Sequence, residues 1–262
     1  MGDMVKNNTK IAIKEEVTEG TYIAPSSGSD FISPLSDGLE FIPSKELLER
    51  NNLNSSIGKS TPRTGMKSVS GTIPVEAKAN GTEGTAPEYG LLIESCLGTK
   101  RQVTTTTADD TDAGGPHTAT RIYLADADAS KYNVGDIAHV KVSSDHHVSP
   151  ITAVSNTSGD VYIDLLVAAD NAFSDGDVIS AVTTYLPANS GHKSFSLTKY
   201  MEDARLEQAA GCKVTSMSLN NFTTGQLADS MAVVQPSGLL RPDVSYRIRE
   251  SAVKLGREIN SG

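Results

Sequence analysis

The stretch SVSGTIPVEAKA (Ser68–Ala79) alternates strictly: Val69, Gly71, Ile73, Val75 and Ala77 on one side, Ser70, Thr72, Pro74, Glu76 and Lys78 on the other. A period of two over this length is the signature of a half-buried β-strand. Pro74 has no N–H to give a ladder, which predicts a sheet edge or a bulge there. An edge left open would offer its backbone to another chain.

Strands and loops dominate outward from it. Ile11, Ile13 and Val17 begin a strand that Gly20 and Pro25 break, and Leu39 and Phe41 flank Glu40 in a short strand before Pro43. After Lys45–Arg50, the segment Asn51–Lys67 is rich in Asn, Ser, Gly, Thr and Pro and shows no period. A patternless connection of that length is normally functional or ordered by a partner. Downstream, PEYGLLIESCL (Pro87–Leu97) reads as the one good helix, with Pro87 in its first turn, Leu92 and Cys96 four apart, and Gly98 as its cap. Cys96 is expected as a small buried apolar residue. Strands resume at Ser194 with Phe195 and Leu197 on one face, then at 212–219 and 227–235. Val244, Ile248, Ala252, Leu255 and Ile259 have helical spacing in a closing arm.

Composition agrees with a β protein. Ser and Thr together make up roughly a fifth of the 262 residues, and there is no Trp. The two cysteines are too few for a disulfide framework. No apolar run reaches the ~20 residues of a membrane span. MGDMVKNNTKIAIKEEV has no apolar core of a secretory signal, so export by that route is not expected.

The charge is concentrated. Gln102–Ser190 holds twelve Asp, no Glu and only Arg121, Lys131 and Lys141, a net of −9 that equals the charge of the whole chain. This change marks a separate unit, and phosphate binding, which needs clustered Lys and Arg, is not expected of it. The unit contains an echo: Tyr132-Asn-Val-Gly135-Asp136-Ile137 and Phe173-Ser-Asp-Gly176-Asp177-Val178. An aromatic plug, a Gly-Asp turn and the start of a strand recur, as in a small barrel or sandwich of two similar halves.

No catalytic motif stands out. Gly58-Lys59-Ser60-Thr61 resembles the end of a phosphate loop, but Leu53 stands where its first glycine belongs. His146-His147 reads as a polar surface loop, with adventitious metal binding as the alternative. Asp175-Gly-Asp177 lacks the spacing of a calcium loop, and Asp109, Asp110 and Asp112 read as solvated. The chain is therefore expected not to be an enzyme, and to need no cofactor or metal.

From Lys14 to Lys100 the order of pieces carries a resemblance: KEEVTEGTYIAP, GLEFIPSKELLERNNL, a polar loop, GMKSVSGTIPVE, then GTAPEYGLLIESCLG. Ser194–Val234 adds GCKVTSMSL and GQLADSMAVV. In this order the chain resembles the tail tube (major tail) proteins of long-tailed bacteriophages. The resemblance implies a mainly β fold: a tail-tube-type sandwich or barrel with one flanking helix, plus an inserted small all-β domain. The tube domain would comprise 1–101 and 191–240, the acidic insert 102–190, and the arm 241–262. It also implies rings, commonly hexameric, stacked into a tube that conducts DNA, within the virion and assembled in the host cytoplasm. Partners would be further copies of the chain, the tape measure, terminator and baseplate or tip proteins, and a sheath where the tail has one. Asn51, Asn54, Ile57, Lys59, Arg63 and Met66 would belong to the inter-ring loop. Val69, Thr72, Ile73, Glu76 and Lys78 would mark the ring or lumen strand, and Tyr89, Leu92 and Cys96 the packing helix. DNA would pass without specific binding, since a basic lining would retain it, and the acidic insert is expected outside the tube. The alternatives are another virion component (decoration, sheath or neck) or a carbohydrate-binding or adhesion β-module.

Overall fold

A computed structural model of the chain describes residues 9–36, 39–50, 62–111, 115–128, 130–142, 145–201, 205–220 and 229–235. The chain divides into two compact units, one of Met1–Lys78, Glu88–Gly98 and Pro187–Gly262, the other of Ala79–Pro87 and Thr99–Leu186. The second unit thus takes in Ala79–Pro87, a stretch within the 1–101 segment expected to belong to the tube domain. It carries five basic and thirteen acidic side chains, a net of −8, and the first unit is left at −1. Described residues are mainly β, in antiparallel sheets, with one short α-helix.

The first unit is built on seven strands: β1 (Thr9–Glu15), β2 (Phe31–Ile32), β3 (Glu40–Leu48), β4 (Arg63–Glu76), β13 (Phe195–Met201), β14 (Arg205–Asn220) and β15 (Asp229–Gln235). Their order in the sheet is β2-β1-β13-β14-β15-β4-β3. Just past β2, Pro34 bridges Val75, and the Leu35 N–H donates to the Pro74 carbonyl at 2.9 Å. One border of the sheet is thereby drawn round to β4, and the sheet curls. Ile11, Ile13, Val69, Ile73, Phe195 and Leu197 fill the concave side, each worth about 1.5–3 kcal/mol on burial.

The helix α1 (Gly90–Leu97) closes this core with Leu92. Its Ser95 Oγ accepts the Val214 N–H of β14 at 2.9 Å. Gly98 ends it at φ +91°, the left-handed cap expected of it, and its N–H bonds the Glu94 carbonyl. The helix starts at Gly90, three residues later than Pro87. Cys96 is half-buried against the core, while Cys212 is fully buried within it.

Several expectations are corrected. At Pro74 β4 is not an edge: Gly71–Glu76 pairs with β15 on one side, while β3 and then Leu35 cover the other. Pro74 fits because its carbonyl is what the Leu35 N–H uses. β3 does not stop at Pro43 but runs through it to Leu48, as an edge strand tolerates. The connection supposed patternless from Asn51 to Lys67 is strand from Arg63 onward. β1 ends at Glu15, and Val17 is exposed because Glu16 turns inward.

Glu16 caps an irregularity between β13 and β14. Phe195 pairs with Cys212 and Leu197 with Ala209, so Ala210 and Gly211 face the single residue Ser196. Gly211 takes φ +70°, a conformation suited to glycine. The Glu16 carboxylate accepts the Ser196 hydroxyl and the Gly211 N–H, each at 2.8 Å, and the Gly20 N–H at 2.9 Å.

The second unit contains β5 (Gly98–Val103), β6 (Thr106–Thr107), β7 (Arg121–Tyr123), β8 (Ile137–Val142), β9 (Asp145–Thr157), β10 (Asp160–Leu165), β11 (Val178–Ile179) and β12 (Val182–Pro187). Six form a sheet in the order β6-β11-β8-β9-β10-β7, and β12 pairs with β5. A bridge between Ala108 and Leu124, just past β6 and β7, links the two borders. Ile122, Val140, Ile151, Ile163 and Ile179 lie inside with the two plugs, Tyr132 and Phe173.

The sequence echo is a structural repeat. Gly135 (φ +90°) donates to the Ile151 carbonyl while the Ile151 N–H bonds the Asp136 carbonyl. Gly176 (φ +85°) and Asp177 make the same pair of bonds with Ala108. In each turn the aspartate closes back on the backbone, Asp136 on the Asn133 N–H and Asp177 on the Ser174 N–H. Asp136 is also held by Arg101 at 3.1 Å.

Candidate self-association surface

β4 is longer than its partner β15. Their pairing ends at Gly71 with Val234, and upstream of it Arg63–Ser70 has β3 as its ladder partner among the described residues. The pairs Ser70 with Ile42, Ser68 with Ser44, Lys67 with Lys45, and Arg63 with Leu48 build a two-stranded ribbon. Such a ribbon is marginal alone in water. Among the described residues its outer strand β3 ends the sheet, so its far backbone groups have no ladder partner there.

Apolar side chains sit on this border. Leu47 is 61% exposed, Leu48 49% and Ile42 48%. Around them stand Lys45, Glu46, Glu49, Arg50 and Arg63, a mixed-charge rim. A register shift at Lys45/Leu47 marks an irregularity at Glu46, which lies over Gly65: a β-carbon there would stand 2.8 Å from the Glu46 carboxylate. Gly71 is a closer fit, since a β-carbon would meet the Glu40 carbonyl oxygen at 2.2 Å. Phe41 turns into the core and has the Lys199 ammonium 5.1 Å from its ring centre.

Of the residues singled out in sequence, Asn51, Asn54, Ile57 and Lys59 lie outside the described residues, as do Gly58 to Thr61 and the arm 241–262. Arg63 and Met66 belong to β4, on the ribbon. Val69 and Ile73 are on the buried face of β4, with Thr72 and Glu76 on the opposite face. Lys78 follows the strand and pairs with Glu88 at 3.2 Å, and Glu88 also accepts the Ser33 N–H. Tyr89 is buried at the start of α1, and that burial raises its phenol above the usual value. Leu92 lies in the first unit's core and Cys96 packs against it. Ile42, Leu47 and Leu48 were missed: the irregularity at Glu46 puts Leu47 and Leu48 out of step with any simple alternation.

Among the described residues no group of three or more His, Cys, Asp or Glu could hold a metal, and no helix is long and apolar enough to cross a membrane. No family model matches this chain, and no curated protein matches its sequence. What the ribbon offers chemically is backbone pairing along β3 plus apolar contact through Ile42, Leu47 and Leu48.

Proposed function

We propose that this chain is a structural subunit of a phage tail tube, self-assembling into stacked rings that conduct DNA into the host. The observation that carries the reading is the outer border of β3: backbone without a ladder partner among the described residues, together with exposed Ile42, Leu47 and Leu48. In a protein that works alone such a border invites aggregation. In a ring it is consumed by the next copy. A stable contact of this kind buries more than about 1,000 Å², beyond the reach of three side chains, so the connection through Asn51, Asn54, Ile57 and Lys59 is assigned to it as well. Six copies per ring is the number the resemblance implies.

The distribution of charge supports the same reading. The first unit is close to neutral and the second carries −8. A near-neutral wall lets DNA slide, whereas a basic one would hold it through many phosphate contacts. On this reading the acidic unit faces outward and keeps filled tubes apart. The chain carries no reaction and no cofactor, resides in the virion after assembly in the host cytoplasm, and meets the tape measure, terminator, tip or baseplate and sheath proteins at the tube's ends and surface.

Electron microscopy of the purified chain is the test. Rings or tubes about 100 Å across, expected of stacked domains of this size, support it. A monodisperse monomer at all concentrations overturns it.

A further inference from the structure

His146 and His147 lie not in a loop but in strand β9, and the ring that His146 meets is that of His139 on the neighbouring strand β8. His139 Nε2 and His146 Nδ1 stand 2.9 Å apart, with ring centres at 5.1 Å. The β8–β9 register pairs Lys141 with His146 and His139 with Val148, so all four share one face of the hairpin. Val140 pairs with His147, which puts His147 on the opposite face. There its Nε2 meets the Val167 carbonyl at 3.0 Å and its ring packs near Phe173.

We propose that His139 and His146 form a two-histidine chelate for a borderline divalent transition cation, Cu²⁺, Ni²⁺ or Zn²⁺. Imidazole suits these ions. Two nitrogens each about 2.0–2.1 Å from one zinc stand roughly 3.3 Å apart in a tetrahedral arrangement, so the observed 2.9 Å has to open by a few tenths of an ångström, and the rings, now end to end with centres 5.1 Å apart, have to turn until both lone pairs aim at one point. In the free pair one ring donates its N–H and the other accepts. On binding, the donor ring moves that proton to its other nitrogen, both facing nitrogens present lone pairs, and no net proton is lost. Water completes the coordination shell. Lys141 on the same face opposes the cation, whereas the surrounding unit, net −8, favours it. The hairpin register holds the two residues side by side on one face in advance, which is what distinguishes this pair from two histidines on a loop.

The site is tested by calorimetric titration of the full chain, free of any polyhistidine tag, with Ni²⁺, Zn²⁺ and Mg²⁺ salts. One Ni²⁺ or Zn²⁺ per chain and no Mg²⁺ is expected, with binding weakened roughly tenfold or more in His139→Gln and in His146→Gln and unchanged in His147→Gln. In the unaltered protein, Zn²⁺ should also shield His139 and His146, but not His147, from acylation by diethylpyrocarbonate. Absence of binding at about 1 mM Ni²⁺, native affinity in both His139→Gln and His146→Gln, or equal shielding of all three histidines would overturn the assignment.

Discussion

The carboxylate of Glu16 accepts the backbone N–H of Gly211 at 2.8 Å, across 195 positions of sequence. Glu16 is buried, and the same group takes the Ser196 hydroxyl and the Gly20 N–H. Truncation to Ala would leave the Gly211 N–H buried without its acceptor, and hydrogen bonds to charged groups contribute about 1.5–3 kcal/mol each. Glu16→Ala is expected to lower the stability of the first unit by about 2–4 kcal/mol. Glu16→Gln should cost less, since its carbonyl oxygen can serve one side while its amide nitrogen cannot accept. Urea unfolding of the three proteins gives the order.

Tyr132 ties the second unit to alkaline pH. Its phenol is 3% exposed, and burial, opposed by the hydrogen bond to Thr106 and aided by the Asp128 charge, pushes it up to about 12. Between the ordinary value of 10 and that value the unfolded chain has lost the proton and the folded one has kept it. Stability is therefore whole below pH 10 and falls as pH rises towards 12, by about 2–3 kcal/mol at most. Tyr132→Phe has nothing to ionise, so its unfolding midpoint should fall less over the same range. Thermal melts at intervals from pH 9 to 12 read the difference, and parallel curves would refute the assignment.

Gly71 sits where β3, β4 and β15 meet. A β-carbon on it would stand 2.2 Å from the Glu40 carbonyl oxygen, a backbone atom that cannot swing aside. Gly71→Ala must therefore part β3 from β4 at that point. A loss of about 1–3 kcal/mol is expected, the usual cost of overpacking, together with faster amide exchange at Glu40–Ile42. Unchanged exchange there would show that the strands shift as a pair.

How much of this was legible depended on whether the signal was local. The alternation of Val69, Ile73 and Val75 gave β4 its buried face, and Gly98 the end of α1. The recurrence of Tyr132-to-Asp136 at Phe173-to-Asp177 gave the repeated turns, since each requires its own glycine at positive φ. Pairing was not legible. Pro74 announces a missing donor, but not that Leu35 and β15 cover the strand. His146 does not announce His139, because their meeting depends on the β8–β9 register. The exposed leucines of β3 escaped for a similar reason: the shift at Glu46 breaks the period that would have revealed them.

Those leucines allow assembly to be separated from folding. Leu47 and Leu48 are 61% and 49% exposed and lie outside the first unit's core, so replacing both by Glu should change stability by less than about 0.5 kcal/mol. If copies of the chain meet along β3, the same change places two charges in each contact, where an unpaired buried charge costs several kcal/mol. Leu47→Glu/Leu48→Glu is thus expected to melt like the parent protein and to sediment as a monomer where the parent forms rings or tubes. Matching changes at Leu166 and Val167, exposed apolar residues of the second unit, should leave assembly intact. Assembly that survives the change in β3 and fails with the change at Leu166 and Val167 would move the contact from the first unit to the second.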